Sequence, residues 1–292
     1  MATTHANGIN ITYEIDGSGP PLLLVMGLGG QLTDWPTQLV DRLAEHFTVV
    51  RFDNRDIGLS DHMSSAPPSR LDFLKAIIRP SWANAAYDLS DMAADAAGLL
   101  DALDLDDVHV VGMSMGGMIA QVLAIGHGTR VRSLCSIMSN TGNQRTGRPT
   151  PRVFAHLARQ DQDSSKEAAV ARTLDLFSLV CGSDWDRDQG EATLRASLER
   201  SYNPAGVLRQ SLAIAVSPDR TERLTRLQLP SLVIHGLEDT LVRPSGGVAT
   251  AEAIPDSRLL MFPRMGHDLP ATRHAEMVDA IVSNSQRALA TV

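Results

Sequence analysis

The stretch Val108-His109-Val110-Val111-Gly112-Met113-Ser114-Met115-Gly116-Gly117 constrains this chain more than any other. A short β-branched run, a glycine-flanked serine and the helix-forming segment Met118 to Ala124 together demand a strand that reverses sharply into a helix. The backbone crowds itself at such a turn, so Gly116 and Gly117 leave room where a side chain would clash. Ser114 stands at the apex. Gly-x-Ser-x-Gly also arises by chance, and what decides its meaning is what else the chain delivers to the same edge of the sheet.

Two later strands deliver partners. Leu232-Val233-Ile234 reads as a buried strand ending at His235-Gly236, and the loop after it carries Glu238 and Asp239. Arg258 to Phe262 reads as the next strand and leads into Met265-Gly266-His267. Strand ends in an open α/β sheet bring their loops onto one rim, so Ser114, Asp239 and His267 are expected to meet there. A serine hydroxyl is a weak nucleophile. It needs a base to take its proton and a carboxylate to hold that base in the right tautomer. Asp239 suits the carboxylate role better than Glu238, because a shorter side chain makes a closer, more rigid contact. The loop after Leu134 to Met138 offers only Ser139-Asn140-Thr141 and no acid. Of the other histidines, His235 is expected to support its loop, and His46, His62, His109, His127, His156 and His274 to be surface or packing residues. No His-Glu-x-x-His spacing occurs, so neither a metal nor another cofactor is expected.

The alternation of apolar runs and helical patterns locates the sheet. From Ile9 to Met138 it is regular, with a helix expected from Leu89 to Leu103 on a stripe of Leu89, Met92, Leu99 and Leu103. Such alternation implies a mostly parallel sheet covered by helices. After Gly142 the pattern changes. Helices are expected over Arg152 to Arg159, Lys166 to Cys181, Glu191 to Tyr202 and from Pro204 onward, with no convincing strand among them. The expected organisation is a core of residues 1–142 and 217–292 interrupted by a helical cap at 143–216. The segment Leu71 to Ile78 is expected to dock on the cap as a second wall of the entrance, in preference to a membrane surface.

These features resemble the α/β-hydrolase superfamily over nearly the whole chain. Besides the triad positions, Leu22-Leu23-Leu24-Val25-Met26-Gly27-Leu28-Gly29-Gly30 is similar to that family's first parallel strand and the loop after it. Phe52-Asp53-Asn54-Arg55-Asp56-Ile57-Gly58-Leu59-Ser60 is similar to its Asp-x-Arg-Gly-x-Gly-x-Ser segment, with Asp56 where a glycine is usual. Val25-Met26-Gly27, Asp34-Trp35-Pro36, Asn54-Arg55-Asp56 and Met265-Gly266-His267 resemble most the aclacinomycin methylesterase group of bacterial serine esterases. The resemblance implies an α/β-hydrolase fold, a Ser114-His267-Asp239 triad, and an oxyanion hole from the backbone N–H groups of Leu28 and Met115, with Gly27 or Gly29 as alternatives to Leu28. It implies hydrolysis of small carboxylic esters. Perhydrolysis of the haloperoxidase kind, C–C bond hydrolysis, or a non-catalytic ligand receptor would use the same fold.

Met26 and Met113 replace the histidine or polar residues usual at those positions, so the pocket is expected to be apolar. Met26, Met113, Met115 and Met265 each neighbour a strand end or motif of the site, which points to a flexible, Met-lined wall. Only 4% of residues are aromatic, which argues against a stacked platform for large planar substrates.

Composition excludes several other classes. The net charge of -8 comes without a run of Lys or Arg, so nucleic acid is not an expected partner. Met1 to Gly19 has no basic start and no long apolar stretch, and no run approaches the roughly 18 apolar residues of a membrane span. With only Cys135 and Cys181, a disulfide framework is not expected, and a reducing cytoplasm is the natural compartment.

Overall fold

A computed structural model describes residues 1–158 and 165–289. Eight strands form one sheet in the order β1-β2-β4-β3-β5-β6-β7-β8. They are β1 (Ala2–Ala6), β2 (Ile9–Asp16), β3 (Pro21–Val25), β4 (Thr48–Phe52), β5 (Val108–Met113), β6 (Val131–Ile137), β7 (Ser231–Gly236) and β8 (Arg258–Phe262). β2 runs antiparallel to β1 and β4, and every other pairing is parallel. The edge strand β1 is absent from the expected pattern, which begins at Ile9. Its signal is Asn7-Gly8, whose φ values of 48° and 80° make the two-residue turn that joins β1 to β2.

The helices follow in the order α1 (Thr37–Ala44), α2 (Arg70–Ile78), α3 (Leu89–Ala102), α4 (Met115–Gly126), α5 (Pro151–Leu157), α6 (Lys166–Val180), α7 (Arg187–Arg200), α8 (Pro204–Val216), α9 (Thr221–Leu224), α10 (Ser245–Ala253) and α11 (His274–Leu289). Strand alternation divides the core. Leu23 and Val25 of β3 join Val108 and Val110 of β5 under α3 and α4, whereas Leu22 and Leu24 join Val111 under α1 and α11. α3 starts where Asp88 accepts the backbone N–H groups of Ser90 and Asp91, and it buries Leu89, Met92, Ala96, Leu99 and Leu100. Both faces of the middle strands are therefore covered, as a parallel sheet requires.

Helices α5–α8 all fall between β6 and β7. They match the four expected from the sequence with end shifts of a few residues; α7 starts at Arg187, ahead of Glu191. The expected end of the first helix at Arg159 lies outside the described residues. α2 packs against α8, but only Ala76 of α2 is buried, and Leu71, Leu74, Ile77 and Ile78 remain exposed. The contact is shallow. Among the described residues no helix is long and apolar enough to cross a membrane, and no cluster of His, Cys, Asp or Glu could hold a metal. Cys135 is buried, and burial pushes the thiols of both Cys135 and Cys181 far up, away from the reactive thiolate.

Candidate active site

Ser114 sits between β5 and α4 with φ 56° and ψ −118°, a conformation that costs a non-glycine residue on the order of 1–3 kcal/mol and holds only where the surroundings enforce it. Those surroundings are glycines. A Cβ on Gly116 would lie 1.9 Å from the carbonyl oxygen of Val25, and one on Gly112 would lie 2.1 Å from that of Gly116. β5, β3 and the start of α4 can approach this closely only without side chains. The Ser114 N–H is anchored to the Ile137 carbonyl at 2.8 Å, so the neighbouring strand also fixes the turn.

The three chemistry-bearing side chains meet at the C-terminal edge of the sheet. His267 Nδ1 lies 2.7 Å from Asp239 Oδ2, and its Nε2 lies 2.9 Å from Ser114 Oγ. An ionised carboxylate only accepts, so Nδ1 carries the hydrogen and the bare Nε2 faces the serine hydroxyl. Asp239 Oδ1 accepts the backbone N–H groups of Leu241 and Val242, at 2.9 and 2.8 Å. Burial works to raise the Asp239 carboxyl, but the charge of His267 and hydrogen bonds from His235 and His267 outweigh it and hold the group below its ordinary value. For His267, burial favours the neutral ring, yet the Asp239 charge and hydrogen bond prevail and raise its pKa above the ordinary value. Glu238, the alternative acid, points elsewhere: its carboxylate accepts the backbone N–H and the hydroxyl of Ser183, both at 2.7 Å.

His235 is fully buried and contributes more than its strand-end position conveys. Its Nε2 donates to the Val242 carbonyl at 2.7 Å and lies 3.4 Å from Asp239 Oδ2. Nδ1 has no partner. The ring therefore braces the loop that carries Asp239 from beneath. The loop carrying His267 is latched from the other side. The His267 N–H donates to the Val180 carbonyl at 2.7 Å, and Asp268 Oδ1 accepts the N–H groups of Gly182 and Gly266 at 2.8 and 2.9 Å. Neither Asp268 nor Val180 carries a sequence signal for this role, because the pairing spans more than eighty residues.

The loop after β3 runs beside the serine: a Cβ on Gly27 would lie 3.2 Å from Ser114 Cβ. Asn54 Nδ2 donates to the Met26 carbonyl at 3.0 Å, and the Gly29 N–H is taken by Gln210 Oε1 at 3.0 Å. Among the described residues no hydrogen bond takes the backbone N–H of Leu28 or of Met115. The methionine wall is reduced. Met115 and Met265 have no exposed surface and Met26 only 5%, because Met26 and Met265 face the α1–α11 side of the sheet and Met115 the α3–α4 side. Met113 alone of the four is partly exposed, and Leu28 in the loop after β3 is 41% exposed.

A mostly parallel sheet with this strand order, a serine on a forced turn and an acid and a histidine after the last two strands define an α/β hydrolase. The chain belongs to the α/β hydrolase fold family, whose model matches residues 20–273. A rhodomycin D methylesterase from Streptomyces sp. (strain C5) is 28% identical to it, over 94% of this chain and 93% of the methylesterase. Among solved structures it is similar to an enol-lactonase from Burkholderia xenovorans, with 21% identity, a TM-score of 0.73 and coverage of 97% of this chain and 99% of the lactonase. It is also similar to a meta-cleavage product hydrolase from Pseudomonas fluorescens, with 20% identity, a TM-score of 0.75 and coverage of 99% and 98%.

Proposed function

We propose that this protein is a serine esterase that cleaves carboxylic esters through an acyl-enzyme, without a cofactor. The observation that carries this reading is His267 bridging Ser114 and Asp239 at 2.9 and 2.7 Å. Ser114 Oγ attacks the ester carbonyl while His267 Nε2 takes its proton, and Asp239 holds the ring and stabilises the imidazolium. The Leu28 and Met115 N–H groups hold the negative oxygen of the tetrahedral intermediate. His267 returns the proton to the leaving alcohol, and water, activated by the same ring, then releases the acid and restores Ser114.

In this reading residues 143–216 form a cap over a core of 1–142 and 217–292, and the substrate enters between cap and core. Leu28 and Met113 offer apolar surface beside the serine, with Met26 and Met265 packed behind it, which fits small to medium apolar acyl or alcohol groups. The methylesterase relative supports ester cleavage. Replacing Ser114→Ala is expected to lower kcat on a nitrophenyl ester by roughly 10⁴-fold or more with the far-UV circular dichroism kept. Full activity in the variant would overturn the proposal. Esters, peracid formation and vinylogous diketones assayed together test the bond that is cleaved, with turnover expected on esters.

A further inference from the structure

The loop of residues 26–31 meets Ser114 on one side and helix α8 on the other. Gln210, in the middle of α8, has no exposed surface. Its Oε1 accepts the Gly29 N–H at 3.0 Å and its Nε2 donates to the Arg55 carbonyl at 2.9 Å, so one amide ties together the loops after β3 and β4. One turn earlier Val207 packs on the same glycine, since a Cβ on Gly29 would lie 3.3 Å from Val207 Cγ2.

The residue before Gln210 fixes the helix itself. Arg209 forks onto Asp56 with contacts of 2.8 and 2.7 Å, and Asp56 also accepts the Tyr87 hydroxyl at 2.7 Å. Asp56 takes φ 73°, a left-handed conformation that favours glycine, at the position where the family pattern has one. A carboxylate that departs from the pattern at a strained position, paired to a buried arginine on α8, sets the register of that helix against the core.

Two consecutive peptide units are thereby oriented. In a trans peptide the C=O and the following N–H point in opposite directions. The Gly27 carbonyl accepts the Gly30 N–H at 3.2 Å, which turns the Leu28 N–H, in the same peptide unit, the other way. The next unit, Leu28–Gly29, is held by Gln210 through the Gly29 N–H. We infer that Gln210 is a positioning residue for oxyanion stabilisation: through Gly29 it holds Leu28 in the conformation that aims its N–H at the reacting oxygen. The helical insertion is then part of the catalytic scaffold as well as a cover. This rests on the reading of Leu28 N–H as an oxyanion donor.

The test is Gln210→Met, which keeps the volume and removes both hydrogen bonds, alongside Gln210→Asn, which keeps an amide one methylene too short. In each, kcat on a nitrophenyl ester is expected to fall about tenfold, less than the roughly 10²–10³ for outright loss of a donor. KM should stay within about twofold, and inhibition by phenylboronic acid, whose serine adduct is tetrahedral, should weaken by about the same tenfold as kcat. Unchanged kcat and boronate affinity would overturn the inference. So would a rise in KM alone, which would make Gln210 part of the substrate wall. Should both variants fail to fold, hydrogen exchange at the Gly29 amide of the unaltered protein decides: slow exchange is expected, and exchange at the free-loop rate would overturn the inference. Ser114→Ala separates the two levels. An active Ser114→Ala removes the esterase reading itself, whereas a dead Ser114→Ala with indifferent Gln210 variants removes only this inference.

Discussion

The turn carrying Ser114 and the loop carrying His267 meet at 2.9 Å, yet they are held by opposite means. The turn is enforced by absence: Gly112 and Gly116 have no side chain, so β5 and α4 close onto β3 and a serine is driven to φ 56°. The histidine loop is held by presence: its His267 N–H donates to the Val180 carbonyl and its Asp268 carboxylate accepts the Gly182 N–H, both across to the segment between β6 and β7, while the same carboxylate accepts the Gly266 N–H within the loop. The first device is local in sequence and depends on steric exclusion, which has no partial form. The second is spread over distant segments, and it can weaken one bond at a time.

That difference sets the expected sizes of perturbations. Gly116→Ala places a methyl 1.9 Å from the Val25 oxygen, where only backbone could yield. A stability loss above about 4 kcal/mol or no folded protein is expected, and a denaturation midpoint near that of the parent would show that the turn is not sterically forced. Asp239→Asn keeps the shape but allows the amide to donate, so the wrong tautomer of His267 is favoured. Stopped-assay kcat should fall by roughly 10⁴-fold with the fold retained, and a loss under tenfold would remove Asp239 from the chemistry.

Smaller effects belong to the latch. Asp268→Ala leaves the Gly182 and Gly266 N–H groups unpaired, and urea denaturation should register a loss of about 2 kcal/mol. Asp268→Asn retains an acceptor oxygen and should lose much less; equal losses in the two variants would contradict a latch built on those two bonds. The smallest effect is a displacement in pH. His267 must be neutral to act as base, and its pKa is raised by the Asp239 charge in excess of the opposing effect of burial. The acid limb of kcat/KM should therefore fall at a pH above the unperturbed histidine value of about 6.5, where a free ring would titrate. A limb centred at or below that value would mean that the Asp239 contact does not dominate.

The same contrast explains what can be read without coordinates. The sheet and the Ser114 turn are legible because they depend on neighbours in sequence: the continuous apolar run of β3, glycines at fixed offsets, and Asp88 ahead of Leu89. The meeting of Asp239 with His267 follows from strand order alone. Side-chain length favours Asp239 over Glu238, and the contact geometry separates them, because adjacent residues differ in direction. Gln210, Asp268 and Arg209 leave no local mark, since each acts on a residue through a contact that the chain path does not announce. Four methionines near strand ends read as one wall, but Met26 and Met265 pack into the core on one side of the sheet and Met115 into the core on the other, which leaves Met113 as the partly exposed member.

The most direct test of the central claim, that Ser114 is an activated nucleophile driven by His267, is labelling with a fluorophosphonate probe followed by peptide mapping. The account expects a single adduct on the peptide containing Ser114, formed in step with loss of esterase activity and abolished in both Ser114→Ala and His267→Ala. Labelling elsewhere, or full esterase activity in a protein that takes no label at Ser114, would contradict it.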